Sequence, residues 1–469
     1  MLYVSTRGEA PAISFNDALL AGLARDGGLY VPERWPELPR DTIAGFRGKS
    51  YAQVAFEVIR PFVAGSLKES DLSRMIGEAY ATFDDPAVAP LAKLEDGEHL
   101  CELFHGPTLA FKDVAMQLLA RLMDHVLAER GERVTIVGAT SGDTGGAAVE
   151  AFRGRDRADM IILFPDGRVS DVQRRMMTTA TEANIHAVAI DGTFDDCQAI
   201  VKALFNDHAF RDRVRMSGVN SINWARIVAQ TVYYFTAAVA VGAPDKRVRF
   251  AVPTGNFGDV FAGYVAAQMG LPIERLIVAT NVNDILARAL ATGAYEPRAV
   301  VPTASPAMDI QVSSNFERLL FDASGRNAPA VKAMMNDLAK DRRFSLPTDV
   351  LAHIRKLFSA ARADEAETVA TIKSVYAAQG YVIDPHTAVG VHVARKMKGE
   401  GTGPLIALST AHPAKFPDAV EAAIGVRPAL PGHLSDLLDR PERIERLPAN
   451  AGAVARLVSE RSRALGAVA

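Results

Sequence analysis

The stretch LFHGPTLAFKDVAMQLLARL, beginning at Leu103, sets Lys112 after an apolar Gly/Pro segment and at the head of a run with helical apolar spacing at Val114, Leu118, Leu119 and Leu122. An ammonium there faces the positive end of the helix dipole, and the apolar flanks Leu109 and Phe111 disfavour the charge further. Both effects lower the lysine pKa toward a nucleophilic amine, the form that Schiff-base chemistry needs. By residue type alone such a lysine is more often a solvated side chain, with Asp113 merely favouring the first turn, so its surroundings must decide.

Three further stretches bring donors together. In VPTGNFGDVFAG an apolar run ends in Gly255-Asn256-Phe257-Gly258-Asp259 and a helical pattern follows. A strand, a glycine turn and a helix start aim backbone N–H groups at one point, which makes a phosphate cradle; a plain βα turn with Asp259 at the helix start fits the same residues. The turn has no Lys-Ser/Thr pair and is not GxGxxG, so it does not point to a nucleotide. GATSGDTGGAA offers the hydroxyls of Thr140, Ser141 and Thr144 among glycines, either a second anion cradle or a capped helix start. NSINWARI groups Asn220, Ser221, Asn223 and Arg226, which suits bidentate phosphate recognition, or else a helix capped by Asn220 or Ser221. Finally, LSTAHPAKF puts Ser409 and Thr410 at the end of an apolar strand.

These stretches need strands that end where helices begin, and the chain supplies them. From about Gly97, β-rich runs alternate with helical ones: VTIVGA with GDTGGAAVEAF, MIILF with DVQRRMMTTATEA, IHAVAI with DDCQAIVKALF. A second series, VRFAVPTG, RLIVATN and PLIALST, follows. The expected fold class is α/β, two facing parallel-sheet domains whose ligands gather at the carboxyl ends of the strands. We divide the chain into a mainly helical N-terminal region (1–96), a smaller α/β domain (97–235) carrying Lys112 and the anion loops, a larger α/β domain (236–426) with an insertion at about 295–347, and a tail (427–469).

At 469 residues and 49% hydrophobic composition the chain buries a large core. A net charge of -3 gives no basic field for nucleic acid or an anionic membrane, and the longest apolar run, VYYFTAAVAV, is too short to span a bilayer and reads as a buried helix. Two distant cysteines, Cys101 and Cys197, form no metal cluster and fit the reducing cytoplasm.

Taken in order, YVSTRG at Tyr3, LLAGLARDGGLYVPE, LFHGPTLAFKD, TSGDTGGAA, NSINWARI, PTGNFGD, DPHTAVG and LSTAHPAKF resemble the threonine synthase family, pyridoxal-phosphate enzymes with the tryptophan-synthase-β-like (type II) fold. The resemblance implies that Lys112 bonds pyridoxal 5'-phosphate as a Schiff base and shuttles protons. It implies that Gly255, Asn256, Phe257, Gly258 and Asp259 surround the cofactor phosphate and that Thr410 meets the pyridine nitrogen. The implied substrate is O-phospho-L-homoserine, its carboxylate and phosphate shared among Thr140, Ser141, Thr144, Asn220, Ser221 and Arg226, with Arg226 on the phosphate. The implied reaction is γ-elimination of phosphate and β-addition of water to give L-threonine. Related folds often carry Asn where Asp143 stands, which leaves the role of Asp143 open; His105 and His386 rank second. No metal is expected, and relatives include monomers and homodimers. A serine/threonine dehydratase needs no γ-phosphate site and would leave NSINWAR without a role; an idle phospholigand-binding homologue would not need Lys112.

Overall fold

The computed structural model describes residues 1–95, 97–140 and 142–466. Two sheets dominate it. The smaller has five strands in the order Glu445–Pro448, Ile185–Asp191, Ala158–Pro165, Val134–Ala139, Met216–Ser217, all parallel. Ala158–Pro165 is buried at every position, as a parallel strand covered by helices on both faces must be. The larger has six in the order Phe358–Arg362, Ile273–Thr280, Val248–Pro253, Leu405–Ser409, Glu98–Glu102, Leu91–Glu95, parallel except for the last pair. The strands read from VTIVGA, MIILF, IHAVAI, VRFAVP, RLIVAT and PLIALS all form.

Two of the expected boundaries differ from what pairing produces. Glu98–Glu102 does not belong with the smaller sheet: Leu100 stands opposite Ala407 in the larger one, and the chain crosses over only afterwards, through the Lys112 helix. The tail is not an appendage either. Glu445–Pro448 forms the edge of the smaller sheet, and Val454, Leu457 and Val458 of helix Ala451–Arg461 join a core cluster with Val188, Cys197 and Val201. Strand pairing across some 260 or 300 residues leaves no local pattern to read.

The N-terminal region is mainly helical, with Tyr51–Val63 and Glu69–Tyr80 as its longest elements and a short antiparallel pair, Tyr3–Ser5 with Tyr30–Pro32. Its anchor is the buried helix Trp224–Ala240, where the Trp224 ring packs against Tyr3 (6.0 Å between centroids) and Phe62 (5.9 Å). The 295–347 segment closes on itself at its base, where Ala294–Tyr295 pairs with Phe344–Ser345 and the Tyr295 and Phe344 rings stack at 4.7 Å. Thr6 and Arg7 tie it to the N-terminal region through Glu317, at 2.6 and 3.0 Å. Among the described residues no helix is long and apolar enough to cross a membrane.

Leu457 is buried in that cluster, so Leu457→Ala should cost about 2–3 kcal/mol, read as a lower denaturant midpoint. An unchanged midpoint would mean that the tail does not contribute to the smaller core.

Candidate active site

The carboxyl ends of strands Val134–Ala139, Val248–Pro253 and Leu405–Ser409 face one cleft of about 1130 Å³. Lys112 opens helix Lys112–Arg130 at its wall. The turn before it is pinned to the end of Leu405–Ser409: the Phe111 N–H donates to the Thr410 carbonyl (2.9 Å) and the His412 N–H to the Leu109 carbonyl (3.0 Å). Phe111 offers no side-chain cap, and Asp113 instead accepts from the Thr108 N–H (2.8 Å) and hydroxyl (2.7 Å). Gly106 is required there, because a Cβ would fall 2.5 Å from that of Asp113.

Lys112 is buried, with Nζ 4.6 Å from the Phe111 ring centroid and 3.6 Å from Asp143 Oδ2. Burial pushes its pKa down; Lys415 and Arg226 push the same way, and Asp143 opposes them. The apolar flank was legible in the sequence, but the two cations were not. Asp143 Oδ1 accepts from Lys415 Nζ at 2.9 Å and from Gln173 Nε2 at 3.0 Å. Burial alone would raise this carboxyl, yet Lys415, Lys112 and Gln173 hold it well below the usual carboxylate range. Lys415 is fully buried and also donates to the Thr108 carbonyl at 2.7 Å. A second lysine just past a strand end is visible in LSTAHPAKF, but nothing local ties it to Asp143.

The opposite wall carries the 255–259 turn at the start of helix Gly258–Gln268. Its left-handed residue is Phe257 (φ 66°), not a glycine. Gly255 is required for closeness: a Cβ would sit 2.6 Å from the Ala307 carbonyl oxygen. The 295–347 segment holds the carbonyls, with Ser313 Oγ donating to Gly255 O (2.6 Å) and the Asn315 backbone and side chain to Asn256 O (3.0 and 3.1 Å). The first N–H groups of the helix have no intrahelical acceptor and remain for an anion. The Asp259 carboxyl takes the hydroxyls of Tyr233 (2.5 Å) and Tyr234 (2.9 Å), so it offers an anion only its backbone.

On the remaining wall Thr140 Oγ1 accepts from the N–H groups of Gly142 (3.0 Å) and Gly145 (2.9 Å), the capping arrangement, and keeps its own proton to donate. Thr144 also lines the cleft; Ser141 lies outside the described residues. Neither Asn220 nor Ser221 caps the following helix. Asn223 does, accepting from the Ala225 N–H at 3.1 Å, which leaves the other two lining the cleft. Arg226 is 2% exposed; one guanidinium nitrogen donates to the Val219 carbonyl (3.2 Å), and its buried Nε has no partner. Burial pushes its pKa down to about 10. One turn on, Gln230 also faces the cleft, a residue the sequence reading passed over although the i, i+4 spacing puts it beside Arg226.

Thr410 lines the cleft beside Lys112. His386 lines it too, but both ring nitrogens are occupied: the Ala307 N–H donates to Nε2 (3.2 Å), so the ring proton is on Nδ1, toward Asp384 (2.8 Å). His105 is bonded to Glu102 (2.7 Å) and does not line the cleft.

Family models cover nearly the whole chain: threonine synthase N terminus at residues 2–80, pyridoxal-phosphate dependent enzyme at 99–408, and threonine synthase, C-terminal, at 387–458. Threonine synthase of Pseudomonas aeruginosa is 54% identical over 461 residues, 98% of each chain. The chain belongs to the threonine synthase family. The crystal structure of PLP-bound threonine synthase from Brucella melitensis matches with a TM-score of 0.96 at 60% identity, over 99% of this chain and 100% of that one. Threonine synthase from yeast matches with a TM-score of 0.93 at 39% identity, over 98% of each. The fold is therefore the expected pair of facing parallel-sheet α/β domains of the pyridoxal-phosphate-dependent enzymes.

Burial raises the Asp259 carboxyl to about 6, against the tyrosine hydroxyls that lower it. A folded-state pKa above the unfolded value near 4 means stability present below about pH 4 and lost as pH rises through about 6. Asp259→Asn cannot ionise, so its thermal midpoint relative to the native chain should improve between about pH 4.5 and pH 7. A difference that does not change with pH would contradict this.

Proposed function

We propose that the cleft binds pyridoxal 5'-phosphate and converts O-phospho-L-homoserine and water to L-threonine and phosphate, the last step of threonine biosynthesis. The observation that carries this is the buried Arg226 guanidinium, whose Nε has no partner, in the same cleft as the Lys112 amine and the 255–259 turn. A desolvated cation without a counter-charge is costly, and an anionic ligand removes that cost. One anion site serves a cofactor phosphate; the second needs a phosphorylated substrate.

The residues present fit the cofactor. Lys112 would be the amine to bond its aldehyde, the N–H groups of Gly255, Asn256, Phe257, Gly258 and Asp259 would hold its phosphate, and Thr410 would serve its ring nitrogen. When bound, the cofactor supplies an electron sink for the carbanion left by proton loss from the substrate. A neutral Thr410 hydroxyl does not hold the ring nitrogen protonated, so more depends on the leaving group.

Lys112 Nζ is the mobile base. In its amine form it accepts the Cα proton and hands it on, which frees it to take one from Cβ; the protons from Cα, from Cβ and from the water whose hydroxyl adds at Cβ then account for those gained by Cγ, by Cα and by the departing phosphate. Arg226 holds the substrate phosphate and balances the charge that grows on the bridging oxygen as the Cγ–O bond breaks. Thr140, Ser141, Thr144, Asn220 and Ser221 supply neutral donors for the carboxylate and the remaining phosphate oxygens. Free, buried Cys101 and Cys197 suit a reducing cytoplasm as the place of the reaction.

With phosphohomoserine the protein should release threonine and phosphate in equal amounts; 2-oxobutyrate and ammonia in their place would make it a dehydratase, and no turnover an idle binder. Arg226→Ala should lower kcat/KM by about 100-fold or more, and a value unchanged from native would remove the phosphate assignment.

A further inference from the structure

The Lys112, Asp143 and Lys415 charges form a buried line whose two ends are unequal. Lys415 Nζ makes a hydrogen-bonded ion pair with Asp143 Oδ1 at 2.9 Å, is itself 0% exposed, and is fixed a second time by the Thr108 carbonyl at 2.7 Å. Lys112 Nζ stands further off, 3.6 Å from the other carboxylate oxygen, beside the open cleft. Gln173 Nε2 adds a second donor to Asp143 Oδ1 at 3.0 Å, and the Ser170 hydroxyl donates to Gln173 Oε1 at 3.2 Å. One carboxylate balances one ammonium. A carboxylate within 4 Å of a buried lysine would ordinarily hold it charged, which is the wrong form for a nucleophile or base.

We propose that Lys415 is a positioning residue: by claiming the Asp143 carboxylate it leaves Lys112 free to lose its proton and act as an amine. This rests on the proposed role of Lys112. The pairing also explains why an aspartate is tolerable in the cleft, since Lys415 neutralises a charge that would otherwise oppose an anionic substrate. Four titratable groups act on the Lys112 amine: Asp143 attracts its proton, Lys415 and Arg226 repel it, and the buried Asp259 carboxyl attracts it when ionised. Removing Lys415 takes away one repulsion and frees the carboxylate, so both changes favour the ammonium.

The test follows Schiff-base formation by the cofactor-freed full-length chain with pyridoxal phosphate, as visible absorbance and as borohydride-trapped adduct mapped to Lys112, across pH. In Lys415→Met the pH midpoint of the rate should rise by roughly one unit, a tenfold slower rate near neutral pH. The double variant Lys415→Met/Asp143→Asn removes the competing carboxylate too and should bring the midpoint back to the native value or below it. A merely structural role for Lys415 would lower stability in both variants and leave the midpoint in place. An adduct at Lys112 with the native midpoint in Lys415→Met, or a double variant no different from the single one, overturns the inference alone. Absence of any adduct at Lys112 in the native chain overturns the reading of the site and the inference with it.

Discussion

One carboxylate shared between two buried lysines governs the chemistry that this cleft can do. At an effective dielectric of 20 the shorter of its two ion pairs is favoured by about 1 kcal/mol over the longer, and the second acceptor of Lys415 adds to that preference. The fully enclosed Lys415, with two acceptors, is the better partner for Asp143, and Lys112, at the cleft wall, is the weaker one. Desolvation then acts on Lys112 without being cancelled. Gln173 and Thr108 hold the geometry in which this division of charge is possible.

The scaffold delivers these groups from distant parts of the chain. Asp143 comes from the smaller sheet, Lys415 from beyond a strand of the larger one, and Lys112 from the helix between them, whose preceding turn is bonded to Thr410. The 295–347 segment performs the same service on the opposite wall. Ser313 and Asn315 occupy the carbonyls of Gly255 and Asn256, which holds the turn at the cleft wall. Asn315 also reaches Ser221 (3.2 Å), and Arg318 lies 5.5 Å from the Trp224 ring, so the segment ties the 255–259 turn to the start of helix Trp224–Ala240.

Much of the site was legible because its parts are local. A lysine at a helix start and a glycine turn between strand and helix are each written within about ten residues, and the described cofactor and substrate candidates line one cleft, whereas His105 does not. Where folding departs from the local pattern, the cause is a common one. Asn220 and Ser221 were eligible caps by type, but the helix begins later and Asn223 takes that place. Asp259 suited a helix start, yet its carboxyl is drawn away by Tyr233 and Tyr234. The tail, read as uninformative, supplies an edge strand.

Residue order by itself determined the α/β alternation, the buried Trp224–Ala240 helix and the lysine at the head of a helix, because periodicity, turn chemistry and capping act over a few residues. Tertiary structure alone decided which sheet Glu98–Glu102 would join, which carboxylate would be neutralised by Lys415, and that Arg226 would be left with an unpaired nitrogen. Those outcomes depend on desolvation and on charges brought within a few ångströms from hundreds of residues apart, and neither quantity exists until the chain has folded.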